Sequence, residues 1–294
     1  MTLVDCHIHV WRQKDLNWLN GPMVPRIFGP YEPIRRDYPI EEYIADARSA
    51  GIDKAVYVQP NWGPGRELDE VRFIEELAER TGWPHAMVAP INLMDDGCSA
   101  VMKEAARLSK RVRGVRQQLH WHENPQYRYA PVPDQMNDPT LRRNLAKVAE
   151  MGWIFELQVF SGQMENAARL VRDFPEITFV LIHAGMLEDN APETVERWAA
   201  GMRRLAENPN LVVKFSGQGT FVHRVDPAWI GQIVDECMTT FGSQRCMFGS
   251  NFPIEKLWTD YRTLFAVYAA ALEKYGEEDR RNVFGATAER VYGL

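Results

Sequence analysis

The chain has 294 residues, of which 45% are hydrophobic and 25% charged, and its formal net charge at pH 7 is −6. This composition predicts a folded globular protein with enough apolar material for a sizeable core. The negative charge, without a block of Lys and Arg, argues against nucleic-acid binding, and no apolar run has the length of a membrane span. We therefore expect a small-molecule substrate, and neither a nucleic-acid nor a membrane partner.

The four cysteines are scattered along the chain and form no C-x-x-C pair; they are Cys6, Cys98, Cys237 and Cys246. No charged-then-apolar signal segment precedes the first apolar run. These two features predict free thiols and a cytoplasmic protein.

Eight short apolar runs, each bounded by turn residues, predict eight β-strands. They span residues 3–10, 52–59, 85–93, 113–119, 153–160, 178–185, 210–217 and 246–253. Helical patterns lie between them at residues 40–50, 67–81, 141–151, 164–173, 192–207, 227–241 and 261–275, with a final helix at 278–292. Gly51, Gly82 and Gly152 follow three of these helices and are predicted to end them in the left-handed conformation.

This alternation predicts an α/β fold, a (β/α)8 TIM barrel that forms a single domain over residues 1–294. An open doubly wound sheet is the alternative, but no glycine-rich dinucleotide fingerprint follows any strand. Two long irregular stretches, residues 11–38 and 120–139, follow the first and fourth strands. We expect them to form walls of an active site at the C-terminal face of the barrel.

The first strand carries two histidines, His7 and His9, two residues apart. Strand alternation places them on one face beside Asp5, with Cys6 on the opposite face. Polar residues recur near the ends of five later strands: Arg116, Gln118, Glu156, Gln158, His183, Lys214, Ser216 and Asn251. Their repetition predicts a polar cavity at the C-terminal ends of the strands.

Three imidazoles in one cavity allow two kinds of chemistry. His7, His9 and His183 could bind one divalent, zinc-like metal and leave a coordination position open for water. The same groups could instead act without a metal as acid, base and hydrogen-bond donors, because their ordinary pKa lies near neutrality. The residue pattern leaves both possibilities open.

Four motifs together resemble the amidohydrolase superfamily, in particular its amidohydrolase-2 branch of lactonases. They are His7-Ile8-His9, Val115-Arg116, His183-Ala184-Gly185 and the segment Phe248 to Pro253, and the closing segment Phe284 to Tyr292 resembles the last helix of that family. The resemblance implies a TIM barrel that hydrolyses an ester or amide, and homo-oligomers are a family-level expectation. It also implies that His7, His9 and His183 bind a metal or the substrate carbonyl, and that Arg116 binds a carboxylate or hydroxyl.

Two departures from the superfamily pattern concern the base and the metal. Asn251 stands where the superfamily usually has an aspartate, and a neutral amide cannot accept the proton of water. Gln118 and Gln158 replace ligands of a two-metal centre, so at most one metal is expected. The remaining candidates for the base are His183, a first-strand histidine, Glu156 and Glu255. Structural alternatives are a Glu156–Lys214 pair across the barrel and a solvent pair of Glu255 with Lys256 or Arg262.

These residues predict a hydrolase that opens a lactone of a small, anionic or sugar-derived acid. The predicted catalytic residues are His183, Asn251 and Glu156. The predicted substrate-binding residues are Arg116, Gln118, Gln158, Lys214 and His120, with Arg12, Arg26 and Arg128 adding positive charge from the loops. The alternatives are a metal-dependent decarboxylase of the same branch and a noncatalytic ligand-binding barrel. His85 and His223 are predicted to be incidental.

Overall fold

The structure, a computed structural model, describes all 294 residues. Eight parallel strands pair in chain order into one sheet. They are β1 (Val4–Ile8), β2 (Lys54–Val58), β3 (Ala86–Ala89), β4 (Val112–Gln118), β5 (Ile154–Gln158), β6 (Phe179–Leu181), β7 (Leu211–Phe215) and β8 (Cys246–Phe248). The parallel bridge between Ile8 and Phe252 brings the last strand back to the first. The predicted single-domain architecture of a (β/α)8 barrel is thus the observed one.

The α-helices lie between and after the strands. They are α1 (Asn17–Asn20), α2 (Ile40–Arg48), α3 (Glu67–Thr81), α4 (Cys98–Leu108), α5 (Pro139–Glu150), α6 (Met164–Asp173), α7 (Pro192–Ala206), α8 (Pro227–Phe241), α9 (Tyr261–Ala271), α10 (Glu277–Arg281) and α11 (Thr287–Tyr292). Gly51, Gly82 and Gly152 have φ angles of 79°, 80° and 65°, which confirms the predicted left-handed helix ends. None of the helices has both the length and the apolar character needed to cross a membrane.

Several predicted elements are longer than the observed ones. The predicted strand 178–185 ends at Leu181, and Ile182–Gly185 form a tight turn in which His183 has a φ of 55°. The predicted helix 278–292 is divided into α10, a π-helical turn at Asn282–Ala286 and α11. The helix α4 was not among the predicted periodic segments. Element ends are poorly determined by apolar periodicity, because the same apolar run continues into the turn that follows the strand.

The core has two parts. The larger apolar cluster joins the outer face of the sheet to the helices, and a smaller cluster fills the lower barrel interior. The interior cluster contains Val4, Cys6, Val56 and Val180, and Tyr292 of α11 closes it from below. Towards the C-terminal strand ends the inward-facing side chains become polar, and this change positions the site described next.

Candidate active site

A cavity of about 400 Å³, the main cavity, opens at the C-terminal ends of the strands. Strand ends and the turns after them supply His9, Arg116, Gln118, Gln158, His183 and Asn251. His120 and residues from both predicted loop walls, among them Trp18, Arg26, Tyr127 and Arg128, also line it. The side chain of Gln126 donates to the carbonyl of Arg26 at 2.8 Å, which joins the two loops above the cavity.

The first strand does not keep the simple alternation that the sequence predicts. The pairing of β1 with β2 shifts register between Asp5 and Ile8. As a result Asp5 turns towards the helices and accepts hydrogen bonds from Tyr43 at 3.1 Å and Tyr261 at 2.7 Å. Cys6 packs in the barrel interior below His7. The predicted placement of Asp5 beside the histidines, and of Cys6 away from them, was therefore wrong, because a bulge re-aims the side chains.

His7, His9 and His183 are brought together. The ring centroids of His7 and His9 are 5.0 Å apart, and those of His7 and His183 are 4.9 Å apart. The Nδ1 atom of His9 contacts the carbonyl of Val58 at 2.6 Å, and Nδ1 of His183 contacts the hydroxyl of Ser216 at 2.9 Å. These contacts hold both rings through Nδ1 and leave Nε2 of His183 available for a ligand, whereas the His9 ring has Asn251 as a second hydrogen-bond partner.

Four imidazoles at this end of the barrel, those of His7, His9, His120 and His183, are disfavoured as cations. Burial lowers the pKa of His9 and of His120 to about 3, and the charge of Arg116 acts in the same direction. Burial also lowers the pKa of His7 and His183 well below the ordinary value, with Lys214 as the next cause for His7 and Arg116 for His183. At neutral pH these rings are therefore uncharged and can accept a proton or bind a metal.

Backbone strain is concentrated around the main cavity. Asn61, His183, Met186 and Asn251 all line the cavity and have positive φ angles between 54° and 66°. Such conformations cost free energy for residues other than glycine and are found preferentially at functional sites. The absence of a side chain at Gly217 leaves room for the ring of His183, because a Cβ atom at residue 217 would approach Nδ1 of His183 to 2.5 Å.

Arg116 is a buried guanidinium that has no carboxylate partner. One of its terminal nitrogens donates to the carbonyl of Gln59, whereas its Nε has no hydrogen-bond partner. Arg26 and Arg128 also line the main cavity, and no Asp or Glu does. The carboxyls of Glu156 and Glu70 act on this cation, but neither lies within ion-pair distance of it. Such a buried cation favours an anionic ligand, and the planar guanidinium can bind a carboxylate through two hydrogen bonds.

Three predicted site residues do not reach the main cavity. Glu156 and Lys214 lie deeper in the barrel, where they form a fully buried ion pair with an N–O distance of 2.5 Å. Tyr292 donates to the same Glu156 oxygen at 2.7 Å. Strand geometry explains their depth, because Glu156 lies two residues before Gln158 and hence about 7 Å further from the rim. The proposed catalytic role of Glu156 and substrate contact of Lys214 are thus not supported, and the structural alternative is the observed one.

His7 is the third residue that does not line the main cavity, and both of its ring nitrogens are buried without a partner. Glu255 is also buried away from the lining; it accepts from the backbone N–H of Gly219 at 3.3 Å and does not pair with Lys256, which binds Glu42 and Asp46. Burial raises the pKa of Glu255 to about 8. His85 and His223, which were predicted to be incidental, lie outside the main cavity, and Arg12 pairs with Asp15 instead of lining it.

The donor chemistry fits one zinc-like ion. The unpartnered ring nitrogens of His7 and the Nε2 atoms of His9 and His183, whose Nδ1 atoms are already bonded, form a three-imidazole donor set of the kind that binds zinc. No group of three or more His, Cys, Asp or Glu side chains is already arranged to hold a metal ion. The donors are therefore present, but they do not form a preformed metal centre.

Asn61, Trp62 and Glu70 were missed by the sequence analysis, although all three line the cavities at this end of the barrel. Asn61 and Trp62 follow β2, whose end carries no histidine or charged residue. Glu70 belongs to α3, where it is fully buried at the start of an apolar stripe that continues with Val71 and Ile74. A charged residue on the buried face of a helix is the signal that could have identified it.

Comparisons with known proteins agree with this geometry. A family model described as amidohydrolase matches residues 4–294. The L-fucono-1,5-lactonase of Burkholderia multivorans is 26% identical, over 99% of this chain and 96% of that protein, and the uncharacterized protein y4mH of Sinorhizobium fredii is 29% identical, over 99% and 98%. A crystal structure of a Burkholderia multivorans amidohydrolase with bound zinc superposes over the full length of both chains, with a TM-score of 0.84 and 25% identity. The chain is therefore a member of the amidohydrolase family and, with it, a hydrolase.

Proposed function

We propose that this protein hydrolyses the ester bond of a lactone formed by a small, anionic or sugar-derived acid. The observation that carries the proposal is the main cavity itself, in which Arg116 and two further arginines face uncharged imidazoles and amides without a single carboxylate. Similarity to the L-fucono-1,5-lactonases supports an ester ring as the reacting group.

Arg116 anchors the substrate through a carboxylate or a hydroxyl group. Its charge is among the causes that lower the pKa of His183. An anionic group bound at Arg116 offsets that charge and raises the proton affinity of the His183 ring. Binding of the substrate thus prepares the base.

His183 is the proposed general base because it lines the main cavity and its Nδ1 is occupied by Ser216. Its Nε2 accepts a proton from water as the water oxygen bonds to the lactone carbonyl carbon. Asn251 donates an amide N–H to the oxyanion that forms. The ring C–O bond then breaks, and the leaving oxygen takes the proton back from His183. The product is an open-chain hydroxy acid, which releases one proton at neutral pH.

A divalent ion held by His7, His9 and His183 would polarise the carbonyl and lower the pKa of water. His183 would then be a ligand instead of the base, because its Nε2 has a single lone pair. The steps above use the side chains of this chain alone. Asn251 orients groups in this scheme and accepts no proton, in keeping with its neutral amide.

The test is a panel of carboxylated and hydroxylated lactones with a pH indicator as readout. Wild type should release one proton per ring opened, and His183→Ala should lower kcat by about 10²-fold or more. His85→Gln is the matched control, because this histidine lies at the opposite end of the barrel. A decarboxylase would release carbon dioxide instead, and a binding barrel would take up ligand without turnover. The proposal would be refuted if wild type hydrolysed none of the lactones and if His183→Ala kept full activity on another substrate.

A further inference from the structure

A second cavity of about 230 Å³, the side cavity, lies directly beside the main cavity. The wall between them is shared, and it consists of Asn61, Trp62, Gly63, Pro64, Arg116, Gln118 and Tyr129. Arg116 lines both cavities, so a ligand bound to its guanidinium faces both of them. Nothing in the proposed reaction uses this space.

The side cavity contains a buried carboxyl group without a full set of partners. Glu70 of α3 is fully buried, and its Oε1 accepts a hydrogen bond from the hydroxyl of Tyr57 at 2.9 Å. The backbone N–H of Trp62 is close enough to lower the pKa of this carboxyl, but Oε2 itself forms no hydrogen bond of normal geometry. Burial raises the pKa of Glu70 to about 8. A buried polar atom that lacks a partner is costly, so a ligand group at this point would satisfy it.

The shared wall offers unpartnered atoms of both kinds. The Nε of Arg116 is a donor without an acceptor, and the Oε1 of Gln118 is an acceptor without a donor. Two neighbouring amides are already used, because Gln59 accepts from the backbone N–H of Asn61 at 2.7 Å and Gln117 from that of Leu93 at 3.1 Å. These hydrogen bonds hold the Gln59 and Gln117 side chains in place beside the unpartnered atoms.

The chemistry of these open positions selects among substituents. A carboxylate would lie next to the carboxyl of Glu70, and an ammonium group would lie next to the guanidinium of Arg116. A hydroxyl group both donates and accepts a hydrogen bond, so it fits Glu70 in either protonation state and also fits Arg116 and Gln118.

We propose that the side cavity binds a hydroxyl-bearing side arm of the substrate and that Glu70 is the residue that selects it. The assignment rests on the proposed function for the identity of the ring, whereas the recognition of the hydroxyl group rests on the side cavity alone. The expected substrates are thus lactones that carry a hydroxylated arm outside the ring.

Two lactones test this assignment. One is an aldono-1,4-lactone with a dihydroxyethyl arm, and the other is the tetronolactone with the same ring hydroxyls and no arm. The variant is Glu70→Leu combined with Tyr57→Phe, which removes both members of the buried hydrogen bond and leaves neither unpaired. The ratio of kcat/KM for the two lactones should fall about tenfold in this variant, mainly through KM for the substrate with the arm.

Glu76→Leu is the matched control, because it makes the same change on the exposed face of the same helix. If the double variant does not fold, Glu70→Gln keeps a partner for Tyr57 and is evaluated by the same ratio. An unchanged ratio, or an equal loss on both lactones, overturns the assignment.

A binding measurement distinguishes failure of the side-cavity assignment from failure of the proposed lactone hydrolysis. The ring-opened acids of both lactones are titrated against tryptophan fluorescence, since Trp62 lines both cavities. If wild type hydrolyses neither lactone but prefers the acid with the arm, and the double variant loses that preference, the side cavity is confirmed and lactone hydrolysis fails. If wild type hydrolyses lactones but binds the two acids equally, the side-cavity assignment fails and hydrolysis stands.

Discussion

Replacement of Arg116 by methionine tests the reasoning about the main cavity most directly. The side chain keeps a similar length and loses its charge. A hydrogen bond to a charged group contributes about 1.5–3 kcal/mol, so the loss of Arg116 should lower kcat/KM for a carboxylated lactone by about 10- to 150-fold. The carboxamide of the same lactone has no anionic group and should lose about half as much in free energy of binding.

The same substitution should leave the protein folded. Arg116→Met removes one hydrogen bond to the carbonyl of Gln59, which costs about 1 kcal/mol. It also removes a buried charge whose pKa is lowered chiefly by burial, which means that the folded state disfavours the cation. The two effects oppose each other, so we expect the free energy of unfolding to change by no more than about 1 kcal/mol.

The assays are steady-state kinetics on the carboxylate and carboxamide pair and urea unfolding. Arg12→Met serves as the control, because Arg12 belongs to the first loop and lies outside the main cavity. Arg116→Lys should be intermediate, since it keeps the charge and loses the planar fork. Equal losses on both substrates, or a destabilisation of about 3–5 kcal/mol, would show that Arg116 has a structural role and would refute the argument.

Three further predictions concern the buried charges and the imidazoles. Lys214→Met should destabilise the protein by about 3–5 kcal/mol, because it leaves Glu156 buried and unpaired. The double variant Lys214→Met with Glu156→Leu should recover most of that loss, and urea unfolding measures both effects. Stability should be greatest near pH 6.5. Below that pH the unfolded chain binds protons that His7, His9, His120 and His183 do not bind in the folded protein, so stability falls as the pH falls. Above it Glu70 and Glu255, whose pKa values are raised to about 8, lose protons in the folded protein and stability falls as the pH rises. Melting temperatures that rise steadily from pH 6.5 to 8 would contradict this. Added zinc should raise the melting temperature of wild type, and His7→Ala should abolish the rise; an undiminished rise in the variant would place the metal elsewhere.

The sequence by itself determined the architecture and six polar residues of the main cavity. The alternation of apolar runs and amphipathic segments is a local property of the chain, and it specifies a barrel because parallel strands buried on both faces need helices between them. A strand that is buried on both faces is apolar, so polar residues near its end indicate that it has reached the rim of the barrel. His9, Arg116, Gln118, Gln158, His183 and Asn251 were all predicted on this ground, and the structure brings them together.

The tertiary structure decided how deep each of these side chains lies in the barrel and to which side it points. Glu156 and Gln158 share a face and differ by two positions, and only the pairing of β5 with its neighbours shows that the first joins Lys214 below the main cavity while the second lines it. The bulge in β1 depends on the register with β2, so strand parity alone assigned Asp5 and Cys6 to the wrong sides. Glu70 comes from a helix, and its position beside Arg116 arises only when α3 packs against the sheet. Each of these contacts joins residues that are distant in sequence, and their relative placement is therefore set by packing and register, which no local pattern encodes.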